Sequence, residues 1–107
     1  MPIVSTVFDG FDWDAANREK CRKHGVSVAE IEALFARPLA VRPDPQHSAA
    51  EQRFIAVGQG KSGRTIFLVF TLRRREDRTY IRPISARYMH GKEIKRYEEE
   101  NPDVQDR

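Results

Sequence analysis

An α+β domain, with two helices ahead of an antiparallel sheet of three to five strands and one closing helix, is the fold class that three observations predict. Capping signals and 3.6-residue apolar stripes occupy residues 12–36, period-two runs begin at Arg53, and a helical stripe returns over 89–99. The meander order places the helices on one face of the sheet. The 107 residues make one domain, and at this size about two-thirds of the chain's surface is buried, enough for one core. Its acidic end, residues 100–107, is expected to be flexible.

Phe8 to Trp13 interleaves aromatics with Asp and Gly, which predicts a short strand or turn that plugs Phe11 or Trp13 into the core. Asp12 or Asp14 caps the helix that follows, Lys20 to His24 end it with bases suited to the helix dipole, and Gly25 supplies the left-handed stop. Ser27 and Glu30 read as a capping box, with Val26 and Ile31 as its staple, so a second helix spans 28–36 with Val28, Ile31, Leu34 and Phe35 on one stripe. Leu39 to Arg42 is a short extended piece before a loop to Ser48. Strands follow over 53–57, 64–73 and 78–86; the middle one is apolar on both faces and belongs at the sheet's centre. Pro83 lacks an amide donor, so the third strand has either a free edge or a bulge there. The last helix, 89–99, points Met89, Ile94 and Tyr97 inward and closes at Asn101-Pro102.

Charge is unevenly spread. Residues 53–96 carry +9, against −3 over 1–16, +3 over 17–24, −2 over 25–52 and −4 over 97–107. Such a segment suits a polyanion, nucleic acid first, although a solvated basic strand face would look the same. No apolar run reaches 18 residues, the stretch Ile3 to Phe8 has no basic leader, and Cys21 is the single cysteine. These features predict a chain that neither spans a membrane nor is exported, kept in a reducing cytosol.

His24, His47 and His90 are too scattered for a metal site, and Gly58 to Gly63 sits between strands where a phosphate loop would need a helix. Cys21 reads as a small core filler. What remains is guanidinium chemistry: Arg73 and Arg78 lie near one end of the hairpin, and Arg53, Arg64 or Arg87 near the other. Forked N–H donors hold phosphodiester oxygens and stabilise the charge that develops when a 2′-hydroxyl attacks. Proton transfer needs an acid and a base; Lys23-His24 is the best pair for this, and it could equally cap the helix carbonyls.

Taken in order, Phe11-Asp12-Trp13-Asp14, Lys23-His24-Gly25-Val26, Glu51-Gln52-Arg53-Phe54, Val69-Phe70-Thr71-Leu72-Arg73 and Ile84-Ser85-Ala86-Arg87, before a helix with Glu93 and Tyr97, resemble the BrnT family of bacterial toxins over residues 8 to 99. The resemblance implies a RelE-like fold, a metal-independent and cofactor-free ribonuclease in the cytoplasm, and inhibition by a ribbon-helix-helix antitoxin, BrnA, in complexes of two toxins and two antitoxins. Operator DNA would be met only through that antitoxin. On the same likeness the catalytic residues are Lys23, His24, Arg53, Arg73 and Arg87; within the basic segment Arg64, Arg82, Tyr88 and Lys92 are expected as further RNA contacts. The family helix carries Lys and Asn where this chain has Asn17 and Cys21, and Tyr88-Met89-His90 replaces more usual basic and small residues. The alternatives are a non-catalytic nucleic-acid- or antitoxin-binding protein of operon regulation, and a basic domain with a protein partner.

Overall fold

A central strand with apolar side chains on both faces organises the architecture. In the computed structural model, residues 8–37, 39–45 and 51–100 are described. The elements run β1 (Gly10–Phe11), α1 (Ala15–Arg22), α2 (Val28–Leu34), β2 (Ala40–Pro43), β3 (Arg53–Gln59), β4 (Thr65–Arg75), β5 (Arg78–Tyr88) and α3 (Gly91–Glu100). They form one five-stranded sheet in the order β1-β5-β4-β3-β2. Glu100 closes α3, while residues 101–107 of the expected flexible tail, with the Asn101-Pro102 stop, lie outside the described residues, as do the Ile3 to Val7 stretch and residues 46–48 of the loop. Among the described residues no helix is long and apolar enough to cross a membrane.

The sheet departs from a pure antiparallel meander. β1 pairs with β5 in parallel, Gly10 opposite Tyr80 and Phe11 opposite Ile81. Two residues are too few to show a strand period in sequence, but they carry Phe11 into an edge-to-face chain with Phe8, Phe35 and Phe70. Trp13 follows, and its indole N–H donates to Glu32 of α2 at 3.0 Å. Both expected anchors, Phe11 and Trp13, pack against the core.

Asp14 caps α1. Its carboxylate accepts from the Asn17 backbone at 3.0 Å while Asp14 N–H donates to Asn17 Oδ1 at 2.7 Å, a reciprocal box. At α2 only half of the expected box forms: Ser27 Oγ accepts from Glu30 N–H, but the Glu30 carboxylate turns away into tertiary contacts. Gly25 has φ of 82°, the left-handed conformation its position requires.

One face of the sheet buries Ile66, Leu68, Phe70, Ile81 and Ala86 in a cluster with Ile31 and Leu34 of α2. Glu30, 9% exposed, accepts from Tyr88 Oη at 2.6 Å and from both the amide and the hydroxyl of Ser62 at 3.2 Å. Burial opposes its charge, yet these donors and nearby Arg64 outweigh it and hold the carboxyl below its usual range. Gly60 makes room for this contact, since a Cβ there would lie 2.6 Å from Glu30 Oε1.

The expectation that all helices share one face is corrected by α3. Its Glu93 pairs with Arg87, whose odd position in β5 turns it away from Ala86 and Tyr88 and onto the opposite face. Tyr97 adds a second anchor, donating to the Val57 carbonyl at 3.1 Å.

At Pro83 both sequence alternatives are realised. The register slips between Val69 and Phe70, so that Ser85 faces Val69 and Pro83 faces Phe70. On the other side β1 stops at Phe11, and α1 covers the edge. Asn17, 3% exposed, donates to the Pro83 carbonyl at 2.8 Å and to the Asp12 carbonyl at 3.0 Å. At about 1 kcal/mol net per hydrogen bond, Asn17→Ala is expected to lower stability by about 3 kcal/mol, whereas Arg18→Ala on the exposed side of α1 changes it by less than about 0.5 kcal/mol. Urea midpoints at unchanged m report both; equal midpoints for wild type and the Asn17 variant would remove this side chain from the role assigned to it.

Candidate functional site

The face opposite α2 carries a groove of about 600 Å³. Its floor follows from strand parity and register. Ile55 faces Val69 and Val69 faces Ser85, while Phe67 lies one pleat along beside Arg87. Ile84, the extra residue at the register slip, joins them in the lining. This floor is apolar because β4 alternates large residues to both faces.

Among the described residues three cations line the groove. Arg53 projects from the start of β3, Arg42 from β2 where it pairs with Ile55, and Lys20 from α1. Asp44, 6% exposed, lies between the two arginines in sequence and also lines the groove, with its backbone amide on the Arg53 carbonyl at 2.8 Å. An apolar floor beneath a cationic rim suits a ligand with a flat ring and an anionic backbone.

Arg87 adjoins the groove through Phe67, its guanidinium carbon 4.7 Å from the ring centroid. Glu93 grips it with two bonds of 2.9 Å. The pairing raises Arg87 and, with a backbone donor from His90, lowers Glu93 to about 2.

The other sequence candidates occupy different positions. Arg73 is ion-paired with Glu51 at the far end of β4. Lys23 is the α1 C-cap and His24 stands in the following turn, both exposed. They follow Lys20 by three and four residues, past the end of α1 at Arg22. Arg82 is held by Asp14 at 3.0 Å and Asp12 at 3.7 Å. Arg64 stacks on Tyr88 at 3.6 Å, and Tyr88 is committed to Glu30, so this pair belongs to the α2 side of the sheet. Lys92 is exposed in the first turn of α3. Thus the structure brings Arg53 to the groove and Arg87 to its border, leaves Lys23 and His24 at the end of the helix that supplies Lys20, and separates the rest.

Sequence reasoning missed Lys20, Arg42 and Phe67. Lys20 had a signal, its i,i+3 and i,i+4 spacing to Lys23 and His24. Arg42 had none, because the loop after β2 hides the register that sets it beside Ile55. Cys21 is 1% exposed, and burial pushes its thiol up to about 11, which removes it from nucleophilic chemistry near neutral pH.

The model of a family described as the ribonuclease toxin BrnT of type II toxin–antitoxin systems matches residues 13–93. No curated protein matches the chain.

The Arg87–Glu93 pair makes a pH prediction. The Glu93 carboxyl titrates near 4.5 when unpaired and near about 2 in the fold. Its contribution to stability is therefore present in full above pH 4.5 and is lost as pH falls from there through about 2. In denaturant titrations across this window, wild type should lose its advantage over Glu93→Gln; a difference that stays constant to pH 2 would contradict the pairing.

Proposed function

Because the chain belongs to the BrnT family of ribonuclease toxins of type II toxin–antitoxin systems, we propose that the sheet groove is its RNA-cleaving site and that cleavage runs by attack of the substrate's own 2′-hydroxyl. The observation that supports this reading is the convergence of Lys20, Arg42 and Arg53 on one groove floored by Phe67 and Val69. A base lies against Phe67, and the scissile phosphodiester sits at the cationic rim.

In this mechanism Arg42 and Arg53 take the non-bridging oxygens and offset the charge added as the 2′-oxygen attacks phosphorus. The 5′-oxygen leaves, and the product strand ends in a 2′,3′-cyclic phosphate. Lys23 and His24, at the end of the helix carrying Lys20, exchange the two protons: one leaves the 2′-hydroxyl and one reaches the 5′-oxygen. Arg87 contributes a fixed donor edge beside Phe67, and Arg73 extends the cationic face. No cofactor or metal takes part.

The partner of a type II toxin is an antitoxin. For this chain we infer a BrnA-like ribbon-helix-helix protein in a complex of two toxins and two antitoxins, meeting operator DNA through the antitoxin in the cytoplasm. The sheet between an N-terminal helix pair and a C-terminal helix supports a RelE-like assignment of the fold.

Purified protein should cut RNA in the presence of EDTA and leave cyclic phosphate ends. Arg42→Ala and Arg53→Ala should each lower kcat by about 10²–10³, the loss expected for one transition-state donor, with binding less affected. Abolition by EDTA, or full activity in both variants, would reject the mechanism; salt-sensitive RNA binding with no cleavage in wild type would favour the non-catalytic reading.

A further inference from the structure

We propose that Ser85 selects the nucleotide held in the groove, its hydroxyl reading the edge of the base that covers the floor. The proposal rests on the ribonuclease reading and adds to it a source of base preference.

The irregularity in β5 puts Ser85 there. A regular strand turns successive side chains to opposite faces, yet Ile84 and Ser85 both line the groove. The register slip allows this, because Ile84 is the extra residue and Ser85 keeps its place opposite Val69. Bulges beside functional sites commonly re-aim a side chain in this way. Here the result is a hydroxyl set beside Ile84 and next to Val69, on a floor that is otherwise apolar.

That hydroxyl is chemically distinct within the groove. Among the described lining residues, Ser85 alone carries an uncharged polar side chain. It is half-buried, and its hydroxyl has no hydrogen-bond partner among the described residues. Thr71, on the same face of the sheet one pleat beyond Val69, shows the contrast, since its hydroxyl donates to the Gln52 carbonyl at 2.6 Å. A β-branched apolar residue would serve the strand better at position 85. A hydroxyl is both donor and acceptor, so one left open on a groove floor suits the polar edge of a ligand.

The register also determines which part of a nucleotide reaches it. Arg42, Ile55, Val69 and Ser85 form one row across β2, β3, β4 and β5. Strands stand about 4.8 Å apart, so Ser85 lies about 14 Å from the strand of Arg42 and about 10 Å from that of Arg53. A phosphate held by those two arginines leaves the sugar and base to extend over Ile55 and Val69, and the outer edge of the base arrives at Ser85. The floor favours the same direction, because the face of a base can cover apolar side chains, whereas a phosphate there would lose its hydration without a partner. The sugar stays near the rim with its phosphate. Lys20, carried by α1 on the β5 side, is placed for the phosphate beyond that base.

Deoxy-dinucleotides whose first base is A, C, G or U lack the attacking 2′-hydroxyl and bind without being cut, so NMR titrations with the four read base preference alone. Wild type should bind its preferred member about 5-fold more tightly than its poorest, the worth of one neutral hydrogen bond, and Ser85→Ala should weaken the preferred complex by that factor while leaving the poorest unchanged. The variant loses no intramolecular bond, so its urea midpoint should match that of wild type. Ser85→Thr and Ser85→Val share one shape, and the preference should survive in the first and vanish in the second; this pair decides the matter should the alanine variant fold poorly. A preference that persists in Ser85→Ala or Ser85→Val overturns the proposal, as do equal wild-type affinities for all four. An equal loss on all four also overturns it and gives the hydroxyl to the sugar–phosphate backbone. Should wild type discriminate among the deoxy-dinucleotides but cut none of the corresponding ribo-dinucleotides in EDTA, the ribonuclease reading fails, while the binding comparison still decides the role of Ser85.

Discussion

Ile81 and Ala86 are both in the core, at 4% and 2% exposure, yet five positions separate them along one strand. A regular strand alternates faces at each residue, so an odd separation would force one of the two into the groove. The register slip at Val69/Phe70 absorbs one residue and resolves the conflict. Its consequences spread outward. Ile84 joins Ser85 in the groove lining, Arg82 is turned toward Asp12 and Asp14, and the Pro83 carbonyl is left for Asn17. That last bond docks α1 on the edge of β5, and α1 brings Lys20 over the groove. One extra residue in β5 thus links the core, the edge and the candidate site.

The charge pattern acquires a different meaning in three dimensions. The +9 segment is not displayed as an undivided field, because acids from other segments are its partners. Asp12 and Asp14 come from the acidic start, and Glu51 from the acidic stretch before β3. Glu93 lies within the basic segment and neutralises Arg87 locally. Such partly exposed pairs contribute little to stability, but they fix the direction of long side chains. The groove concentrates Lys20, Arg42 and Arg53 from three separate elements, a convergence that no segment-by-segment count of charge can show.

Much of the fold was legible where a local pattern has a local cause. The apolar run Ile66 to Phe70 marked the central strand, Gly25 marked the stop between helices, and Pro83 marked an irregularity, all for steric or hydrogen-bonding reasons confined to a few residues. What escaped depended on distant partners. Glu30 looked like half of a capping box, but Ser62 and Tyr88, 32 and 58 residues away, claim its carboxylate. β1 is too short to show a period, and Arg42 gains its place only through the register of β2 on β3. The groove was legible in chemical type, arginine, more than in membership: Arg53 lines it, whereas Lys23 and His24 are not in its lining. Side chains on a surface are grouped by topology, and topology is not local.

Arg87 shows how pairing and function can coexist on one guanidinium. Five N–H groups are available on Arg, and a bidentate carboxylate occupies two of them. Glu93 cancels much of the net charge of Arg87 but leaves donors on the remaining edge, while the Phe67 ring at 4.7 Å fixes the plane. A group in that state attracts an anion weakly at long range and directs hydrogen bonds well at short range. Under the proposed mechanism this gives Arg87 the part of orienting a phosphodiester already drawn in, beside the rim cations Lys20, Arg42 and Arg53. Because α3 has no fully buried residue, this pair, together with the Tyr97 bond to Val57, anchors it to the sheet, so the Arg87–Glu93 pair links the position of the closing helix to the geometry of the groove border.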